Sequence, residues 1–216
     1  MGEGEPGKAN QTVDHNRMIH LVHGFNVADG GKQTVARLRP SLPEPVVVHD
    51  YGWTFVFRLR CRNAATVRKI GEAIEPGTVL VGHSNGALIC YKVAKRYPEK
   101  VRAVVTINAA MRRDTIWPEG VHVLNLYNPH DIAVQAGRWW SRLVSLGGLH
   151  PHGWGAAGRY GFTEKQILVS NLNTAEERWS VPARRHSGVF EEDAAAFWGR
   201  VIAMWLAALN LAFRDR

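Results

Sequence analysis

The sequence predicts an α/β domain with a mostly parallel central sheet and helices on both faces. Two observations lead there. Short runs rich in β-branched residues alternate along the chain with longer helical patterns. Most of those runs are apolar at consecutive positions, as strands covered on both faces are. A length of 216 residues with 45% hydrophobic and 21% charged content is enough for one such domain with a sizeable core.

The elements follow in order. Residues 1–17, rich in Gly, Asn and charge, read as a flexible tail, and a single domain is expected over 18–216. Met18 to His23 reads as a strand ending at Gly24, and Pro45 to His49 as a second, followed by Asp50-Tyr51-Gly52-Trp53. A helix is predicted over Ala64 to Ile74, stopped by Pro76-Gly77. Thr78 to Val81 is a strand, Gly86 to Tyr97 a helix halted before Pro98, and Val101 to Ile107 a strand. Val121 to Leu126 is a further strand, with a helix from about Ile132 to Val144, and Gln166 to Val169 is the last strand. Glu191 to about Phe213 closes the chain as a helix, whose Phe197, Trp198, Val201, Ile202, Trp205, Leu206 and Leu209 make one apolar stripe suited to the sheet. Its apolar stretch, Val201 to Phe213, is too short to span a bilayer.

The net charge of +8 is carried by scattered groups such as Arg58-Leu59-Arg60-Cys61-Arg62 and reads as a solvated basic surface. Contact with an anionic polymer or membrane surface is the alternative; no motif of a dedicated nucleic-acid module is present. Cys61 and Cys90 make no disulfide framework, and Cys90 lies in an apolar stretch. The first residues lack the apolar segment of a secretory signal, so a cytoplasmic location is expected. Oligomeric state is left open.

Sites in parallel sheets form beyond the C-terminal ends of the strands. The third strand runs into Gly82-His83-Ser84-Asn85-Gly86 and then a helix. Two glycines permit a tight turn that stands Ser84 clear of the backbone above helix N–H groups, the arrangement of a nucleophile elbow. A serine hydroxyl needs a base. His186, between the last strand and the closing helix, is best placed; His130, His150 and His152 are weaker candidates, and His83 should point away from the hydroxyl. The base needs an orienting carboxylate. Asp131 follows the strand ending at Leu126; Asp114, beside Arg112 and Arg113, is its competitor. In His23-Gly24-Phe25-Asn26 a main-chain N–H, that of Phe25, can face an acyl oxygen, with the Asn85 N–H as second donor.

HGFN, GHSNG, NPHD and RHSG occur in that order. On these motifs the chain resembles the α/β-hydrolase fold family, and within it small serine esterases and lipases, from about Met18 to the C-terminus. The stretch Asp50 to Thr54 together with the elbow also resembles small α/β hydrolases of bacteriophages. Membership implies a Ser84–His186–Asp131 triad, oxyanion donors at Phe25 and Asn85, no cofactor, and hydrolysis of a small or lipid-like carboxylic ester through an acyl-enzyme. Thioesterase or amidase activity, or a non-catalytic binding protein on the same fold, are the rival readings. Only 14 positions separate Ile107 from Val121, which leaves little room there for the helical cap of many members, so a minimal cap or none is expected. The 55 positions between Asp131 and His186 include a Gly- and aromatic-rich stretch, 150–161, expected to be a mobile loop over the site. Its His150 and His152 are too few for a metal site, and no metal is expected. Trp53, Trp154 and Tyr160 are the expected substrate-binding aromatics, with Trp139 and Trp140 as further candidates.

Overall fold

The computed structural model describes residues 18–25, 27–43, 45–52, 58–136, 139, 154–163, 166 and 168–214, with side chains to 210. Six strands, β1 (Ile19–Val22), β2 (Val46–His49), β3 (Thr78–His83), β4 (Val101–Ile107), β5 (His122–Tyr127) and β6 (Val169–Asn173), form one sheet in the order β2-β1-β3-β4-β5-β6. Every neighbouring pair is parallel. The helices are α1 (Leu59–Ala73), α2 (Asn85–Arg96), a single turn α3 (Ala157–Tyr160) and α4 (Glu192–Arg214), with 3-10 segments at Val35–Ser41 and Gly188–Phe190.

Strand side chains alternate between two apolar layers. On one face Leu21, Val81, Val105 and Leu126 meet Trp198, Ile202 and Leu206 of α4 and Val35 and Leu38 of the first 3-10 segment. On the other, Val22, Leu80, Val104 and Val123 meet Ile70 of α1 and Ile89 and Val93 of α2. Cys90 is buried in this second layer, where burial pushes its thiol pKa up; Cys61 is exposed. Phe197, Val201, Trp205 and Leu209 flank the α4 stripe half-buried, so that helix is committed to the sheet. No described helix is long and apolar enough to cross a membrane.

The chain steps from β1 out to β2, returns to lay β3 on the far side of β1, and then adds β4, β5 and β6. The order reverses between β1 and β3, and a crevice opens at the C-terminal ends of strands flanking such a point. Gly24, Phe25 and Ser84 stand there.

Three elements differ from the sequence expectation by more than one residue at an end. β3 continues to His83, and α1 begins at Leu59, five residues earlier than expected. The inward face of α1 includes Asn63 and Thr66, whose polarity conceals the helical period. The last strand is Val169–Asn173, not Gln166–Val169. Its Asn171 ends a polar ladder across the sheet: Thr106 Oγ1 donates to Asn125 Oδ1 at 2.7 Å, and Asn125 Nδ2 to Asn171 Oδ1 at 2.9 Å. An apolar pattern cannot reveal a strand that pairs through amides. Residues 132–136 and 139 are helical; the rest of the expected 132–144 helix, and the expected tail at 1–17, lie outside the described residues.

His20 of β1 and His49 of β2 stack at 4.9 Å, with His20 Nδ1 2.6 Å from His49 Nε2. Burial lowers the pKa of each from 6.5 to about 4, so both are neutral in the folded protein at pH 7. The unfolded chain takes up protons below about pH 6.5 and the folded one resists until about pH 4. Stability is therefore present above pH 6.5 and drains away as pH falls towards 4. Thermal unfolding should show Tm falling across that window, and less steeply in the double variant His20→Leu/His49→Leu.

Candidate active site

Ser84 occupies φ 53°, ψ −116°, between the last residue of β3 and the first of α2. That region is costly for a residue with a Cβ and persists only where the surroundings enforce it. Here the enforcement is visible. The Ser84 N–H donates to Ile107 O at 2.9 Å, and its carbonyl accepts the N–H groups of Ala87 and Ala110, both at 3.2 Å. A Cβ on Gly86 would lie 2.2 Å from Val22 O, and one on Gly82 would lie 2.6 Å from the Ala87 backbone. The two glycines therefore let the head of α2 pack against the end of β1 and against its own strand.

Asp131 follows β5, is fully buried, and caps the helical turn at 132–136 by accepting the Val134 N–H on Oδ1 at 2.9 Å. Its Oδ2 lies 2.6 Å from His186 Nδ1. One carboxylate oxygen is spent on the backbone and the other on the imidazole, so the ring's Nδ1 carries the proton and Nε2 is free to accept one. The loop bearing His186 is pinned through its carbonyls. Asn108 Nδ2 donates to His186 O at 2.6 Å, His83 Nε2 lies 3.2 Å from the same oxygen, and Asn128 Nδ2 donates to Arg185 O at 3.2 Å. His83, the residue before Ser84, also holds its ring 4.7 Å from that of His186. The tie thus brings the His186 loop to the elbow. Burial first, and then the neighbouring His186, hold the His83 pKa well below 6.5.

Asp114 is elsewhere. It is 59% exposed and bonded by both carboxylate oxygens to Arg112, at 2.9 and 2.5 Å. Hydrogen bonding to that guanidinium lowers its pKa. His130 is exposed, while His150 and His152 lie outside the described residues. Among the described residues no three His, Cys, Asp or Glu side chains gather as a metal site.

At the end of β1, Gly24 lies against the elbow: a Cβ there would be 3.3 Å from Ser84 Cβ. The Asn85 side chain behind it is saturated. Its Oδ1 accepts from Asn63 Nδ2 at 3.1 Å and Trp154 Nε1 at 3.2 Å, and its Nδ2 donates to Asn63 Oδ1 at 3.0 Å and Tyr51 Oη at 3.1 Å. Trp154 also holds its ring 5.9 Å from that of Phe25. Trp154 therefore touches both residues expected to supply the oxyanion N–H groups. Tyr160 is 45% exposed on α3 between the guanidinium groups of Arg159 and Arg113, at 5.2 and 5.6 Å. Trp53 and Trp140 lie outside the described residues, and Trp139 is exposed.

The expectation of a mobile loop over 150–161 is corrected for its described part. Ala157 N–H donates to Met111 O at 2.9 Å, Gly158 N–H to Ala109 O at 2.8 Å, and Asn128 N–H to Gly158 O at 2.9 Å. A Cβ on Gly155 would lie 2.6 Å from Arg112 Cα, and one on Gly158 would lie 2.2 Å from Asn108 C. These glycines serve close backbone packing against the chain after β4.

The description alpha/beta hydrolase fold matches residues 63–145, a span from α1 through Ser84 to beyond Asp131. The chain has the α/β-hydrolase fold. Solved α/β hydrolases resemble it over nearly its whole length. A CIB-like hydrolase from Thermoplasma acidophilum is 14% identical, with a TM-score of 0.51 over 90% of this chain and 88% of that one. The pyrethroid hydrolase PytH is 14% identical, with a TM-score of 0.52 over 90% and 99%. Lipase B of Aspergillus fumigatus is 13% identical, with a TM-score of 0.55 over 88% of this chain and 52% of that one. At these identities the likeness is one of fold. No curated protein matches the sequence.

Asn108, Asn128 and Asn63 support the site and were not singled out in the sequence; His83 and Tyr51 were noted there without a supporting role. Asn108 carried a signal: it follows β4 directly and sits at φ 47°, a conformation Asn tolerates better than most residues. The elbow's sterics make a prediction of their own. Gly86→Ala should destabilise the protein by about 3 kcal/mol, the upper range for overpacking a close contact, because Val22 O is backbone and cannot rotate away. Urea unfolding measures it.

Proposed function

We propose that the protein is a serine hydrolase that cleaves carboxylic esters through an acyl-enzyme at Ser84. The observation that carries this is a strained Ser84, φ 53°, at the head of α2, together with a His186 ring that lies 4.7 Å from that of the preceding residue, His83, and whose Nδ1 is 2.6 Å from a buried carboxylate. Strain of this kind at the N-terminus of a helix is the mark of a group held for reaction.

In this reading His186 Nε2 takes the Ser84 hydroxyl proton as Oγ bonds to the substrate carbonyl carbon. The carbonyl π pair moves onto oxygen, which is met by the N–H groups of Phe25 and Asn85 and by the positive end of the α2 dipole. His186 returns the proton to the departing alkoxide oxygen, and the ester C–O bond breaks. Water then adds to the acyl carbon with His186 again as base, and collapse of that adduct restores Ser84 and releases the acid. Asp131 keeps the imidazole in the Nδ1–H tautomer and balances its charge when Nε2 is protonated.

Ser84→Ala should abolish hydrolysis of short p-nitrophenyl esters and labelling by a fluorophosphonate, with Tm near that of wild type. Activity surviving in a clean preparation would remove Ser84 from the chemistry. Asp131→Asn should lower kcat by about two to four orders of magnitude, as loss of a tautomer-fixing acid does. Asp114→Asn should change it little. A panel of matched esters, thioesters and amides reads the chemical class of the substrate directly, and ester should be the fastest.

Trp154 is proposed as part of the acyl wall. It touches the Phe25 ring and the Asn85 amide, and its indole offers apolar area at the same place. Trp154→Ala should raise KM more for longer acyl chains than for acetate, by about 25 cal/mol for each Å² of chain surface left uncovered. Equal effects along a series of p-nitrophenyl esters would place Trp154 outside the acyl pocket.

A further inference from the structure

We propose that Tyr51 is a positioning residue that aims the Phe25 N–H into the oxyanion site by holding the other side of the same peptide. The inference rests on the serine-hydrolase reading above and extends it to a residue outside the reacting set.

The geometry is that of one peptide plane. The Gly24 carbonyl and the Phe25 N–H belong to a single planar amide, and in the trans form they point in opposite directions. Fixing the carbonyl therefore fixes the N–H. Gly24 O accepts two hydrogen bonds, from Tyr51 Oη at 2.6 Å and from His23 Nδ1 at 2.8 Å. A carbonyl has two lone pairs, and both are engaged. Gly24 itself has no Cβ, so without these bonds its peptide would be among the freest to rotate at the rim of the site.

Tyr51 is itself held from several sides. Its ring is 5% exposed and stacks on His23 at 4.3 Å with 11° between the planes. Its N–H donates to His23 Nε2 at 3.3 Å, and its carbonyl accepts Arg62 Nε at 2.6 Å. Its hydroxyl oxygen accepts Asn85 Nδ2 at 3.1 Å, so its own hydrogen has Gly24 O as its target. Burial pushes the phenol pKa up, which keeps that hydrogen in place. One hydroxyl thus links the two residues whose N–H groups the mechanism uses, Phe25 through the Gly24 carbonyl and Asn85 through its side chain. The hydroxyl touches no reacting atom in this reading. It removes a rotation that the developing oxyanion would otherwise have to order.

The test is Tyr51→Phe, which deletes one oxygen and leaves the stacked ring. Removal of an oxyanion donor outright costs about 10²- to 10³-fold in kcat, so loosening one should cost about tenfold, with KM nearly unchanged. The discriminating readout is a matched pair of substrates, an ester and its thionoester. Sulfur accepts hydrogen bonds weakly, so the thionoester uses the oxyanion donors little. The ratio of kcat/KM for ester over thionoester should fall about fivefold or more in Tyr51→Phe, while fluorophosphonate titration still counts a full complement of reactive Ser84. A residue that only stabilised the fold would slow both substrates alike and leave the ratio unchanged, and that result would overturn the proposal. If Tyr51→Phe does not fold, His23→Leu, which strips the other donor from Gly24 O, is read on the same ratio with the same two outcomes. Failure of the serine-hydrolase reading looks different: wild-type protein would then neither label at Ser84 nor cleave the ester.

Discussion

The head of α2 is pressed against the end of β1 so closely that a single carbon on Gly86 would collide with Val22 O and His23 O. Most of the site follows from that approach. It brings a helix N-terminus, with unpaired amides and a positive dipole end, beside the residues that follow β1. The turn between β3 and α2 takes a conformation with φ of 53° at Ser84, which is half-buried. The approach also brings Gly24 so near the elbow that a Cβ added there would lie 3.3 Å from Ser84 Cβ. Parallel pairing of β1 and β3 sets the approach, and the glycines permit it.

A second constraint is the satisfaction of carbonyl groups beyond the strand ends. Backbone that has left a parallel sheet still needs partners when it is buried. In this protein side-chain amides and imidazoles supply many of them. Asn108 and His83 meet His186 O, Asn128 meets Arg185 O, and His23 and Tyr51 meet Gly24 O. Each of these carbonyls belongs to, or adjoins, a residue of the candidate site. The same bonds that remove the cost of buried polar backbone also fix the direction of the groups around Ser84, so stability and preorganisation are here one set of contacts.

This explains which parts could be read in advance. The α/β class was legible because burial on two faces leaves apolar runs, as in Thr78 to Val81 and Val101 to Ile107. Ser84 was legible because glycine on both sides of a serine, between a strand and a helix, has a steric cause. Asp131 and His186 stood out by position, each just past a strand or between the last strand and the closing helix, and the structure brings the two within 2.6 Å. What escaped was polar and long-range. Asn63 is buried because it faces Asn85, 22 positions away, and no local pattern announces that. β6 was displaced for the same reason, since Asn171 pairs with Asn125 and with both backbone groups of Phe162. The glycines of the 155–158 stretch were misread because glycine signals freedom and close packing alike, and only the neighbour decides between them.

The imidazoles of His83 and His186 stand 4.7 Å apart, and the proposed hydrolytic cycle needs one of them to gain and lose a proton while the other does not. The structure separates them by their surroundings. His83 is 3% exposed, with Nδ1 lacking a partner among the described residues and Nε2 directed at a carbonyl, so a charge on it would meet no anion. Burial and its neighbour hold it neutral. His186 is more open and has the Asp131 carboxylate 2.6 Å from its Nδ1. The proposed cycle therefore assigns the Ser84 proton to His186 and not to His83. The neutral His83 works as a donor to the carbonyl of His186, the residue whose charge changes in that proposal, and ties its loop to the elbow.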